Sequence, residues 1–174
     1  MLTIHPVFPA KEDELYKGLY IVIIHLSRIP PHLFLAYNGE LFSITISGPK
    51  PNEPLVVLIR ASSQKAFPIL FCKIKENNTS SEIILKSLEL AVEKHQQVKV
   101  GGASCLAPLK SFFEEVYSLN IKNVNFIFDL IPLLESEKLI EAYHSIGFKD
   151  TSITINGYTQ AEIDQEILRA SSSL

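Results

Sequence analysis

The chain reads as an α+β protein: an antiparallel sheet packed against helices. Three observations predict this. A β-branched run, Leu19 to Leu26, is continuous enough to be a strand buried on both faces. Asn38-Gly39, flanked by apolar runs, is the dipeptide that best specifies a two-residue hairpin, because both of its residues tolerate positive φ. Strand-like segments fill the first half, and helical spacing begins only at about Thr79, so strands and helices are segregated rather than alternating.

The elements follow in order. Lys17 to Ile29 carries the first strong strand, stopped by Pro30-Pro31. His32 to Tyr37 is the second, and the Asn-Gly turn leads into Glu40 to Ser47. In that third strand Leu41, Ser43, Thr45 and Ser47 point one way, and Phe42, Ile44 and Ile46 the other. Gly48 to Pro54, with three prolines, reads as a loop, and Leu55 to Arg60 and Pro68 to Lys75 as further strands. Thr79-Ser80-Ser81-Glu82 is a helix start, with a hydroxyl cap and an acid in the first turn. This helix runs to His95 on the stripe Ile83, Ile84, Leu88, Ala91 and Val92. A second helix, Pro108 to Leu119, follows Gly101-Gly102-Ala103-Ser104-Cys105. Asn123 to Leu130 is expected as a strand, Ser136 to Ile146 as a helix closed by Gly147, and Thr151 to Ile155 as a last strand. Together they make a βαβ-like C-terminal extension. Thr159 to Leu174 adds a short helix and a frayed, serine-rich end.

Composition narrows the function classes. A chain of 174 residues with 47% hydrophobic content holds one full core, so a single domain over 1–174 is expected, with a core at 18–120 and an extension at 121–174. A net charge of −3 with no basic block excludes a visible nucleic-acid footprint. Cys72 and Cys105 alone make no disulfide framework, and no apolar run is long enough for a membrane span. The start lacks the pattern of a signal peptide, so a cytoplasmic location with reduced thiols is expected.

Chemistry points to Cys105. A cysteine just inside a helix N-terminus has its thiolate favoured by the free N–H groups and the helix dipole. Two preceding glycines allow a tight turn that leaves the sulfur approachable. His32, at the start of a strand, is the candidate base. The competing reading makes Cys105 a small buried apolar residue and His32 an exposed residue after a turn. Cys72 sits in an apolar strand as core; His25 reads as a hydrogen-bonded core histidine. His95 and His144 lie on expected helices without partners at zinc-ligand spacing, and nothing in sequence pairs with Asp129.

The hairpin Pro31 to Ser43, with its His-apolar start and Asn-Gly turn, resembles the histidine hairpin of the NlpC-type papain-like cysteine hydrolases. Ala91 to Tyr117 resembles that family's glycine-led cysteine and the helix following it. The histidine precedes the cysteine here, which is the order of the circularly permuted branch that includes lecithin:retinol acyltransferase-like proteins. The resemblance covers roughly residues 18 to 120. It implies a permuted papain-like fold and a thiol hydrolase acting on an amide or ester bond of a small substrate or peptide. It implies Cys105 as nucleophile, His32 as base and Ser43 as orienting group, with Thr45 the runner-up, and no metal or organic cofactor. The family's glycine two residues after the histidine is Phe34 here, and Leu106, Ala107 and Pro108 replace the small residues after the cysteine.

Two other readings belong to different classes. One is a non-catalytic binding or scaffold domain of the same fold. The other is an acetyl-CoA-dependent N-acetyltransferase, to whose second half the segment from Gly101 to Phe148 is similar. That family needs a strand immediately before its glycine turn, where this sequence predicts a helix.

Overall fold

The computed structural model describes residues 1–172; the expected frayed end at Ser173 and Leu174 lies outside the described residues. A seven-stranded mixed sheet forms the middle layer, in the order β2-β8-β7-β3-β4-β5-β6. Its strands are β2 (Val7–Pro9), β3 (Leu19–Ile24), β4 (His32–Tyr37), β5 (Glu40–Thr45), β6 (Gly48–Pro54), β7 (Ile69–Ile74) and β8 (Ile140–Ile146). Every neighbouring pair is antiparallel except β2 and β8. A small second sheet pairs β1 (Leu2–Ile4) with β9 (Ile153–Ile155).

Helices cover both faces. One face of β3 and β4, carrying Ile21, Ile23, Leu33 and Leu35, packs on α3 (Ser81–His95), α4 (Ala107–Tyr117), α5 (Ile127–Ser136) and α6 (Gln160–Ser171). The opposite face, with Tyr20, Val22, Phe34 and Ala36, packs on α1 (Glu12–Leu15) and α2 (Leu55–Lys65). All six side chains of β3 are buried, as a strand between two helical layers requires. Full burial of each of its aliphatic side chains stabilises the fold by about 1.5–3 kcal/mol. Residues of the extension, such as Ile127, Leu130 and Ile163, share one core with Leu33 and Phe113.

The hairpin forms where the sequence places it: Asn38 and Gly39 both have positive φ, +49° and +87°. The helix start at Ser80 also forms, its hydroxyl accepting from the Ile83 N–H. Four expectations are corrected. Gly48 to Pro54 is an edge strand, and the prolines that suggested a loop sit where the outermost strand can lack N–H donors. Leu55 to Arg60 lies in a helix, because its apolar residues Leu55 and Ile59 recur at helical spacing and bury one stripe only.

In the extension, Asn123 to Leu130 gives way to α5, and the segment expected as a helix, Ser136 to Ile146, ends in β8. The βαβ order is therefore replaced by helix, strand, strand, helix. The Asp129 carboxylate explains the first change: it accepts the backbone N–H groups of Asn125 and Phe126 at 3.0 and 2.9 Å, closing the start of α5. His144 accordingly stands on a strand, opposite Phe71. No helix among the described residues is long and apolar enough to cross a membrane.

Candidate functional site

β4 and β5 separate at one end. Their ladder runs from Tyr37↔Glu40 to Leu35↔Phe42 and stops, leaving the start of β4 and the end of β5 without each other. Backbone groups exposed by such a split need partners. The segment after α3 supplies them. The Val98 N–H donates to the Thr45 carbonyl at 3.0 Å on the β5 side. The Cys105 thiol donates to the Pro31 carbonyl at 3.6 Å on the β4 side, and the Leu33 backbone N–H bonds the sulfur.

Above this wedge lies a half-open cleft of about 750 Å³. Its floor is Ile44, Thr45, Val98 and Cys105; the turn from His25 to His32 forms one wall, and Ile163, Glu166 and Ile167 of α6 form the other. α6 is fixed at its start by a reciprocal cap. The Thr159 hydroxyl accepts from the Glu162 N–H, and the Glu162 carboxylate accepts from the Thr159 N–H at 2.7 Å. Asp164 ties the helix to the glycine turn, accepting from Gly101 N–H at 3.3 Å and from the Gln160 amide at 2.9 Å.

Cys105 and His32 both line this cleft, but they belong to opposite faces of the sheet. Cys105 packs in the core that contains Leu33. His32 alternates with Leu33 and sets its ring edge-on to Phe34, 4.5 Å between centroids, on the α2 face. Among the described residues no hydrogen bond joins the imidazole to the thiol.

The expected helix-start position of Cys105 is also corrected. The residue precedes the N-cap, Leu106, and is 6% exposed, so its sulfur meets the β4 edge rather than open solvent. Burial pushes its thiol up to about 11, against hydrogen bonds from the N–H groups of Leu33 and of Cys105 itself. Burial, followed by the neighbouring His25, lowers His32 to about 4. Both groups are therefore neutral at pH 7, where a thiol–imidazole catalyst requires the thiolate.

Ser43 points to the α2 face with Leu41, is 1% exposed, and its hydroxyl has no hydrogen-bond partner. It lies outside the cleft lining. Thr45 does line the cleft, with its hydroxyl committed to the turn: it donates to the Gly48 carbonyl and accepts from the Ser47 N–H. Cys72 is fully buried and pushed further up by burial than Cys105. His95 bonds Ser111 across α3 and α4 at 2.7 Å. Among the described residues no cluster of three or more histidine, cysteine or acidic side chains could hold a metal ion. The glycine turn is entered from α3 and a loop, and the Gly101 N–H faces the Asp164 carboxylate.

Sequence reading missed most of the cleft. The spacing of Ile163 and Ile167 marks an apolar stripe, but nothing local tells which surface it covers. His25, at φ +54°, turns the chain out of β3, so Arg28 and Ile29 rim the cleft where the sequence shows only a proline stop. No family model, curated protein or solved structure matches the chain.

Proposed function

We propose that this protein is a ligand-binding domain and that the cleft between the 25–32 turn and α6 is its binding seat. One observation carries the reading. The cleft is open, largely aliphatic and sized for a small molecule, since such sites usually span about 300–1,000 Å³. Cys105 and His32, the candidate nucleophile and base in it, are held neutral and apart. A buried thiol that donates to a carbonyl is a structural hydrogen-bond donor, and a neutral histidine beyond hydrogen-bond reach takes no proton from it.

The thiol-hydrolase reading, with its permuted papain-like core, stands second. What favours it is that Cys105 and His32 open onto one cleft although they are far apart in sequence. It requires ligand entry to break the Cys105–Pro31 bond and to swing the thiol toward the imidazole, with Ser43 taking no part because it lies outside the lining.

Isoleucine-methyl NMR during a titration with small apolar compounds tests the proposal, together with a parallel assay for release from activated esters. Binding predicts saturable shifts at Ile44, Ile163 and Ile167 with no turnover. A burst of ester cleavage leaving an acyl group on Cys105 would overturn it in favour of the hydrolase.

A further inference from the structure

The mouth of the cleft has a charge that its floor lacks. Arg28 lines the rim beside His25. Burial, and then the charges of Arg28 and of Lys65 in the last turn of α2, disfavour the His25 imidazolium; Lys65 itself lies outside the cleft lining. Neither cation has a carboxylate within ion-pair distance among the described residues. Among the described residues the one carboxylate lining the cleft, Glu166, is on the opposite wall and is engaged by Arg169. The remaining polar linings are the Ser27 and Ser104 hydroxyls, His32, and the committed groups of Thr45 and Cys105. Inward from this rim the surface is aliphatic: Ile24, Ile44, Ile163 and Ile167.

We infer that the cleft takes a single-chain aliphatic carboxylate, its head at Arg28 and its chain along the isoleucine floor toward α6. This deepens the binding proposal and rests on it. A neutral chain would leave the Arg28 charge unanswered, whereas a carboxylate accepts the forked guanidinium donors. A cationic amphiphile would be repelled there. The aliphatic walls set no hydrogen bond along the chain, so selectivity resides in the head and in length: each methylene that reaches the floor tightens binding roughly three- to fourfold.

The test uses the whole chain with decanoate, octanoate, decan-1-ol and decyltrimethylammonium as probes, followed by isoleucine-methyl shifts and calorimetry. Decanoate is expected to bind roughly tenfold or more tightly than octanoate, shifting Ile44 and Ile163. Arg28→Glu and the gentler Arg28→Gln, both on an exposed turn, should weaken decanoate by roughly tenfold or more and leave decan-1-ol unchanged. If decanoate is insensitive to both Arg28 variants, or if decyltrimethylammonium binds equally well, the carboxylate assignment is overturned while the binding cleft stands. If no probe shifts the cleft methyls, the assignment and the binding reading fall together.

Discussion

The Cys105 thiol hydrogen-bonds the Pro31 carbonyl at 3.6 Å, at the edge of the strand whose next residue, His32, turns its ring to the other face. The sulfur occupies a place that β5 has vacated, so its first consequence is structural. Replacing Cys105 by alanine removes the donor and leaves the Pro31 carbonyl unpaired beside a small void. The expected loss is about 1–3 kcal/mol, read as a lower urea midpoint with an unchanged slope. Cys105→Ser keeps a donor and should recover part of it.

His32 makes stability depend on pH. Its folded-state value, about 4, lies below the ordinary 6.5, so the native state binds fewer protons than the unfolded chain between those values. The stabilisation is fully present above about pH 6.5 and is lost as pH falls toward 4, by an amount of order 3 kcal/mol. His25, His95 and His144 are lowered too and add slope of the same sign. Denaturation of wild type and His32→Phe at pH 7 and pH 4.5 isolates the His32 share. The variant should lose less stability on acidification, and equal losses would remove this role.

Ser43 carries a buried hydroxyl without a partner. Ser43→Ala removes an unsatisfied polar group and leaves the strand backbone intact, so it should be neutral or stabilising by up to about 1 kcal/mol. A clear drop in melting temperature would mean the hydroxyl has work that the structure does not give it. The same variant leaves any ligand affinity of the cleft unchanged, since Ser43 is not in the lining.

These expectations show where sequence was informative. Asn38-Gly39 and the Ser80 cap were legible because a local dipeptide or hydroxyl decides each outcome. Leu55 to Arg60 and Asn123 to Leu130 were not, because short apolar runs suit a strand or a helix face equally until a partner surface arbitrates. His32 and Cys105 both line the cleft, yet strand alternation puts them on opposite faces, which no local pattern around either residue shows. The α6 wall was hidden for the same reason: which surface Ile163 meets is a tertiary fact.

α6 also offers a test of that wall. Thr159→Ala removes the hydroxyl half of its cap, leaving the residue-159 backbone N–H on the Glu162 carboxylate, and should cost about 1 kcal/mol. Asp164→Ala frees the Gly101 turn from the helix. Hydrogen exchange should then rise first in α6 and in the 98–105 segment while β3 stays protected; uniform exchange across the sheet would contradict the local role of these contacts.

The most direct measurement is the pH profile of alkylation at each cysteine, read by mass spectrometry on wild type and His32→Ala. A binding cleft with a structural thiol predicts that Cys105 resists iodoacetamide near pH 7 and reacts only as pH approaches 11 or as the chain unfolds, with His32→Ala making no difference. Rapid alkylation of Cys105 near pH 7 that disappears in His32→Ala would contradict the binding account and establish a working thiol–imidazole pair.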